Sequence, residues 1–523
     1  QNLRETASFT SEEIQIAIND VDQAILATTL TFDGPIVLEQ SVSLSGDDRL
    51  TLQGGGVSGS ESTALSLSTA GLFELEGDLG SESSTLGNIN ITALDDAIAV
   101  SLLGGHGRAG QNIHTSGDLS ISGIEGTGSE LVTSVAETLV VRADGNIAIG
   151  VGSDDLSIQT ADDVDIEAGG SLTNRGEFDI DGTMRLAGGD LTNIADISAE
   201  QGITLQALTG DLETTGTLST LMDINLAAAN TLTNGVSLTS EQGSVRLESY
   251  TSDVVSHATL SAADTVSLTA NAGSVSLTGE INASDVTMTA DSGITITSDV
   301  TGTSAVTATT ATGDITASGG GLLQGEALTL EATTGSIDAT SNLTGQTIDV
   351  LAANDLTIAG NVTGQSAAAS GSGDVALMAQ SGDLEVAGNL EGAAITLTAG
   401  SGDVTYAGTV AATGLVDINA SGGELSLSGD LTGASVIGHA SEDGVVTASV
   451  TSTSGDVTLD AGGDLTVSGD INSSASVDLS LLATSGGDLV IDVDVVQAET
   501  DLSVTANNGG SIQAAGNFEG GTL

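Results

Sequence analysis

The chain has no cysteine, no lysine and no tryptophan, and Pro35 is its single proline. Without cysteine there is no disulfide and no thiolate site. Seven arginines (Arg4, Arg49, Arg108, Arg142, Arg175, Arg185 and Arg246) stand against 71 Asp and Glu, a formal net charge of −64. That balance excludes a non-specific nucleic-acid binder, which neutralises phosphates with a basic footprint, and it argues against anionic membrane surfaces. No uninterrupted run of 18 apolar residues is present, so no membrane insertion by a helix is expected. Aromatic residues are nearly missing, with five Phe and two Tyr in 523 residues. A core must therefore be built from Leu, Ile, Val and Ala, which fill a narrow stacked coil more readily than a wide globule.

What is present is repetition. A Gly-Asp or Gly-Ser turn followed by alternating apolar residues recurs roughly every twenty residues: Gly313-Asp314-Ile315, Gly335-Ser336-Ile337, Gly382-Asp383-Leu384, Gly402-Asp403-Val404, Gly423-Glu424-Leu425, Gly463-Asp464-Leu465. Between the turns, apolar residues alternate with polar ones, as in Leu384, Val386, Leu390, Ile395, Leu397, Ala399, Val404, Tyr406, Val410, Val416, Ile418, Leu425 and Leu427. Alternation places them on one face of an extended strand, and Gly, Asn, Asp and Ser between the runs suit tight corners. A repeat this short cannot bury its own apolar face, so it is stable only when stacked. These features predict an all-β protein, a parallel β-helix (β-solenoid) of roughly 20-residue coils. The chirality of parallel crossovers favours right-handed coils, and the hexapeptide pattern of left-handed coils is missing.

The first residues read differently. Thr10 and Glu13 form a capping box, and Ile14, Ile18, Val21 and Ile25 follow at helical spacing. The pattern predicts a short N-terminal α-helical cap within residues 1–45 and a continuous β-solenoid rod over 46–523. A helix followed by Asp33-Gly34-Pro35 and alternating apolar residues resembles the entry of pectate-lyase-like right-handed β-helices, in which a helix covers the amino-terminal end. The start at Gln1 fits either removal of a signal peptide or a fragment of a longer chain.

Residues 170 to 249 carry a second resemblance. Leu172-Thr173-Asn174, Leu191-Thr192-Asn193 and Leu232-Thr233-Asn234, with Ile203-Thr204-Leu205 and Ile224-Asn225-Leu226 between them, are similar to the repeats of filamentous-haemagglutinin-like exoproteins, bacterial surface adhesins that fold as long right-handed β-helices. The resemblance implies a secreted, non-enzymatic structural or adhesive rod at the cell surface. It would be a subunit of an extracellular filament or biofilm matrix, with partners among other copies of itself, docked head to tail, or a cell-surface or matrix carbohydrate.

Chemistry is harder to find. Parallel β-helices include polysaccharide lyases, but lyase chemistry commonly uses a cationic group at the developing charge, and here lysine is missing and the arginines are scattered. Hydrolysis needs paired carboxylates. Asp383, Asp403 and Glu424 supply such pairs at one corner, yet nothing distinguishes one pair from the next. Carboxylates stacked about 5 Å apart repel unless screened or bridged, which makes calcium the cofactor to look for, although the Gly-Gly-x-Gly-x-Asp nonapeptide of calcium rolls is missing. His106, His114, His257 and His439 are isolated, and Met184, Met222, Met288 and Met378 read as core filler. No catalytic, cofactor-binding or metal-ligating residue is assigned. An adhesin's specificity is expected in stretches that break the period, such as 104 to 115 or 247 to 258. The alternative to a rod is a carbohydrate-binding or polysaccharide-cleaving β-helix.

Overall fold

The fold was obtained as a computed structural model. It describes residues 163–521 except 367–368, 371–372, 482–486 and 508. Upstream it describes the segments 6–10, 14–16, 24–53, 56–60, 63–69, 72–76, 79, 86, 89–93, 100–103, 111–115, 119–122, 129–132, 139–143, 145–149 and 156–160. The chain divides into two compact units, residues 1–264 and 265–523. Each is a parallel β-solenoid with about 21 residues per coil, and no helix occurs among the described residues.

A coil of the first unit has three strands, Gly202–Ala207, Leu212–Thr214 and Leu218–Thr220. Each pairs in parallel with its equivalent one coil on: Ile203 with Ile224, Leu212 with Leu232, and Leu218 with Leu238. A coil of the second unit repeats the plan as Ile395–Ala399, Val404–Tyr406 and Val410–Ala412, with Ile395 opposite Val416, Val404 opposite Leu425 and Val410 opposite Leu431. The strands thus stack into three faces around a narrow core. Among the described residues the parallel strands find their backbone hydrogen-bond partners in neighbouring coils.

The alternation does what its period requires. In Ile395–Ala399 the inward Ile395, Leu397 and Ala399 are buried and Thr396 is exposed. The inward position that ends the first face is small, as at Ala207, Ala228, Ala270, Ala290, Ala352, Ala399 and Ala440, because the chain turns there and neighbouring faces converge. This corner explains an alanine-rich core with few large aromatics. Three aromatic residues are buried among the described residues, Phe32, Phe178 and Tyr406.

Coil length varies along the first unit. The coil is longest where Ile89 pairs with Leu119, somewhat shorter where Ile113 pairs with Val141, and shortest where Met184 pairs with Ile203. The apolar register is kept from Val141 on: Val141, Ile166, Leu186 and Leu205 continue one buried row.

The predicted N-terminal helix is not found. Thr6–Thr10 is a strand paired with Thr29–Asp33, and Ile14–Ile16 is a strand paired with Ile36–Leu38. Ile25 lies in the strand Ala24–Asp33, whereas Glu13, Ile18 and Val21 lie outside the described residues. Ile14-Gln15-Ile16-Ala17-Ile18 satisfies a period of two as well as a period of 3.6. β-Branched side chains and an available parallel partner at Ile36–Leu38 favour the strand. The ladders run without interruption through residues 45 and 46, inside the strand Val42–Gln53.

Candidate functional site

The residue just before a strand decides how a corner is held. In the second unit Asp383 Oδ1 accepts the backbone N–H of Asp403 at 2.9 Å, and Asp403 Oδ1 accepts that of Glu424 at 2.7 Å. The same bond runs from Asp383 N–H to Asp355 Oδ1 at 3.0 Å and from Asp464 N–H to Asp443 Oδ1 at 2.7 Å. Backbone completes the stitch in the other direction: Leu384 N–H donates to the Asp403 carbonyl at 2.8 Å and Val404 N–H to that of Glu424 at 2.9 Å. A corner N–H points along the stacking axis where no strand partner lies, and the carboxylate one coil earlier satisfies it.

All three corners use this device. Before the second face of the first unit, Asp190 Oδ1 accepts from Asp211 N–H and Asp211 Oδ1 from Thr231 N–H. Before the third face, Asp196 accepts from Thr217, Asn361 from Asn389 and Asp430 from Ser449. Before the first face, Asp223 accepts from Ser244 and Asp456 from Ser476. The recurring Gly-Asp follows directly. A Cβ on Gly402 would be driven into Asp383 Oδ1 and the Gly382 carbonyl, and one on Gly423 into Asp403 Oδ1. Glycine makes room for the preceding coil's carboxylate.

The structure therefore brings Asp383, Asp403 and Glu424 together at one corner, and Asp383 and Asp403 are each committed as acceptors to the next coil. Asn342, Asn361 and Asn389 perform the same task with an uncharged amide oxygen, so the requirement is an acceptor and not a charge. Among the described residues no group of three or more His, Asp and Glu side chains is placed to hold a metal ion, so the stacked acidic turns present no calcium cage there.

A second polar element is buried. The Leu-Thr-Asn motif places Asn174, Asn193, Thr214, Asn234 and Ser256 in register at the last inward position of the second face, all fully buried. Asn174 Nδ2 donates to Asn193 Oδ1 at 2.7 Å, and Asn193 Nδ2 donates both to Thr214 Oγ1 at 3.3 Å and around the corner to the Ala195 carbonyl at 2.9 Å. Asn234 Nδ2 likewise reaches Ser256 Oγ at 3.1 Å and the Val236 carbonyl at 2.8 Å. The resemblance motif is thus a stacking column inside the coil.

Charge is concentrated on the outside of the first face in the first unit. Arg185 Nη1 contacts Asp165 at 2.7 Å and Glu167 at 3.0 Å, and Arg142 pairs with the same Asp165. Partial burial acts to raise the Asp165 carboxyl, but the hydrogen bonds and charges of Arg142 and Arg185 together outweigh it and hold the group below the usual carboxylate range. Arg142 and Arg185 are both engaged in this lattice, and Arg246 is engaged by Glu248 at 2.7 Å.

The remaining candidates scatter. His106 lies outside the described residues, and His114 is on the strand Gln111–Thr115. The backbone of His257 donates to the Asn234 carbonyl, and the His439 ring meets Asp460 in the next coil. Residues 247 to 258 do not break the period, because Leu247 and Val254 are inward positions of ordinary strands. Met184 and Met288 are core residues, but Met222 and Met378 are exposed. Met378 falls between the inward Leu377 and Ala379 and so points outward. No protein-family model matches this chain, and neither a curated protein nor a solved structure matches it.

Proposed function

We propose that the chain is a non-enzymatic shaft: a secreted structural or adhesive rod of right-handed coils, part of a bacterial surface filament or matrix of the filamentous-haemagglutinin-like kind. The observation that carries this reading is the use made of the acidic residues. Side chains with the chemistry for catalysis, Asp355, Asp383, Asp403, Asp443 and Asp464 among them, serve as acceptors that lock one coil to the next. An enzyme would single out one such pair, whereas a shaft repeats it at every corner.

The net charge of −64 suits this role, since self-repulsion opposes edge-to-edge association of stacked strands. The last described coil, through Ile512–Glu519, pairs with the strand Leu489–Ala498 before it and exposes Ile512. Such an edge accepts either further coils of a longer chain or another copy docked head to tail. Immunogold electron microscopy of producing cells, with antibody raised against the purified chain, tests the reading. Label on surface filaments or matrix supports it. Label confined to the cell interior overturns it.

A further inference from the structure

In the second unit the chain leaves the third face through Gly302, Gly325, Gly345 and Gly364, which lie in one register column. Cβ atoms would meet backbone at each: one on Gly345 would lie 2.8 Å from the Gly325 carbonyl oxygen and 3.1 Å from that of Thr347. The column continues through Gly392 and Gly433, with alanine or serine in coils between and beyond. A groove of about 240 Å³ lies at this corner, walled by Thr301, Gln324, Thr344, Glu326, Gln346 and Gln365. At Gln365 the solenoid also breaks its period. The coil that runs from Ile348 to its partner Val375 is longer than the next, which runs from Val375 to its partner Ile395. The added residues form a short antiparallel hairpin, Gln365 opposite Ser370 and Ser366 opposite Ala369, beside the parallel ladders.

We infer that this groove is a binding subsite for a neutral saccharide, which rests on the adhesive reading above and gives it a ligand class. The carboxamides of Gln324, Gln346 and Gln365 and the hydroxyls of Thr301 and Thr344 offer both donors and acceptors, the combination that a sugar hydroxyl, itself donor and acceptor, pairs with. Other ligand classes lack a partner here. The walls carry no basic side chain, and Glu326 with the strongly negative chain repels phosphates, sulfates and uronates. One carboxylate falls short of the six to eight oxygens of a calcium site. No large apolar or aromatic residue lines the cavity, so an apolar ligand or a peptide anchored by its side chains gains little. The volume is below the roughly 300–1,000 Å³ of drug-sized pockets, so the groove takes about one ring of a longer glycan. A cavity of about 230 Å³ at the corresponding corner of the first unit has Glu200, Glu241 and hydroxyls but no carboxamide, and serves as an internal control.

The test is an array of neutral and acidic oligosaccharides and of peptides probed with the full chain. Saturation-transfer NMR then follows the strongest neutral oligosaccharide retained. Retention of neutral glycans, weakened about tenfold or more by Gln324→Ala combined with Gln346→Ala and unchanged by Glu200→Ala combined with Glu241→Ala, is the expected result. Circular dichroism confirms that the variants keep their strands, and Gln365→Ala alone provides a second, milder probe at the hairpin. Retention of no neutral glycan, of acidic glycans or peptides alone, or of neutral glycans equally by the Gln324/Gln346 variant overturns the site. An empty array with immunogold label on surface filaments removes the subsite and leaves the shaft; label inside cells removes the shaft whatever the array shows.

Discussion

Two stretches of the solenoid close the second face at the same position with opposite chemistry. In residues 172–256 the last inward side chain of that face is Asn174, Asn193, Thr214, Asn234 or Ser256, whereas one coil earlier it is the buried Ile149. In residues 265–523 it is Leu277, Ile296, Ala317, Ala339, Ile358, Val386, Tyr406, Leu427, Val446, Val467 or Ile491, and both columns are buried. The backbone bonds at this corner are alike: Ile194 N–H to the Asn174 carbonyl and Thr215 N–H to that of Asn193 in one unit, Ala407 N–H to that of Val386 and Ser428 N–H to that of Tyr406 in the other. What differs is the carbonyl two residues on. The amides of Asn193 and Asn234 bond it at Ala195 and Val236. In the second unit it accepts from Ser298 Oγ at Gly279 and from Tyr406 Oη at Gly388, and glycines stack closely beside it, with Gly388 against Gly360, Gly408 against Gly388 and Gly429 against Gly408. A buried amide is thus kept where it turns the corner and reaches the next coil. The polar solution is exacting, since a buried amide atom without a partner is costly; Asn234 Oδ1 has no partner among the described residues.

Exchanging the columns should break this arrangement, most strongly from the apolar side. Leu427→Asn places an amide between Tyr406 and Val446 and is expected to destabilise its coils by about 3–5 kcal/mol. Because coils unfold locally, the measurement is hydrogen exchange of the strands Val404–Tyr406 and Gly444–Val446, which should lose protection first. Asn193→Leu in the polar column should cost about 1–3 kcal/mol, since Asn174 Nδ2 and the Ala195 carbonyl lose their partner; the protection of Leu172–Asn174 and Leu212–Thr214 reports it. Asp403→Ala should cost about 0.5–1.5 kcal/mol through the loss of the Glu424 N–H acceptor. Asp403→Asn should cost almost nothing, because asparagine already serves at Asn361 and Asn389. Thermal melts of the two variants side by side separate acceptor from charge.

The smallest effect is expected on the surface of the first unit. Asp165 has a lowered carboxyl pKa, so its contribution is present above the ordinary carboxylate value near 4 and disappears as pH falls through the lower folded value. Its pairs are about one-third exposed, which limits the contribution to about 1 kcal/mol or less. Arg142→Ala combined with Arg185→Ala should flatten that part of the stability profile below the ordinary carboxylate value near pH 4, measured as the melting temperature against pH relative to the parent chain.

The strands were legible because alternation needs no tertiary information: Leu384, Val386, Ile395, Leu397, Val404 and Tyr406 are inward as their spacing requires. The sequence spacings from Val386 to Tyr406 and from Ile395 to Val416 are the registers found. Ile14 to Ile18 was not legible, since so short a stretch fits two periods and only the strand at Ile36–Leu38 decides between them. Gly-Asp was legible as a turn, but not the reason for it, because the Asp383 acceptor and the Asp403 donor lie a full coil apart in sequence and meet only once the register is set. The groove left a trace in the lengthened interval from Ile348 to Val375, which depends on a register fixed by the neighbouring coils.

Hydrogen exchange at single corner amides tests the stitch most directly. The N–H groups of Asp403, Glu424 and Asp464 bond only to a side-chain oxygen of the preceding coil, so they should exchange slowly, close to the neighbouring strand amides Val404 and Leu425, and should speed up one coil on when that acceptor is removed by substitution with alanine. Corner amides that exchange at the rate of an open loop while Val404 and Leu425 stay protected would contradict the claim that these acidic residues hold the coils together.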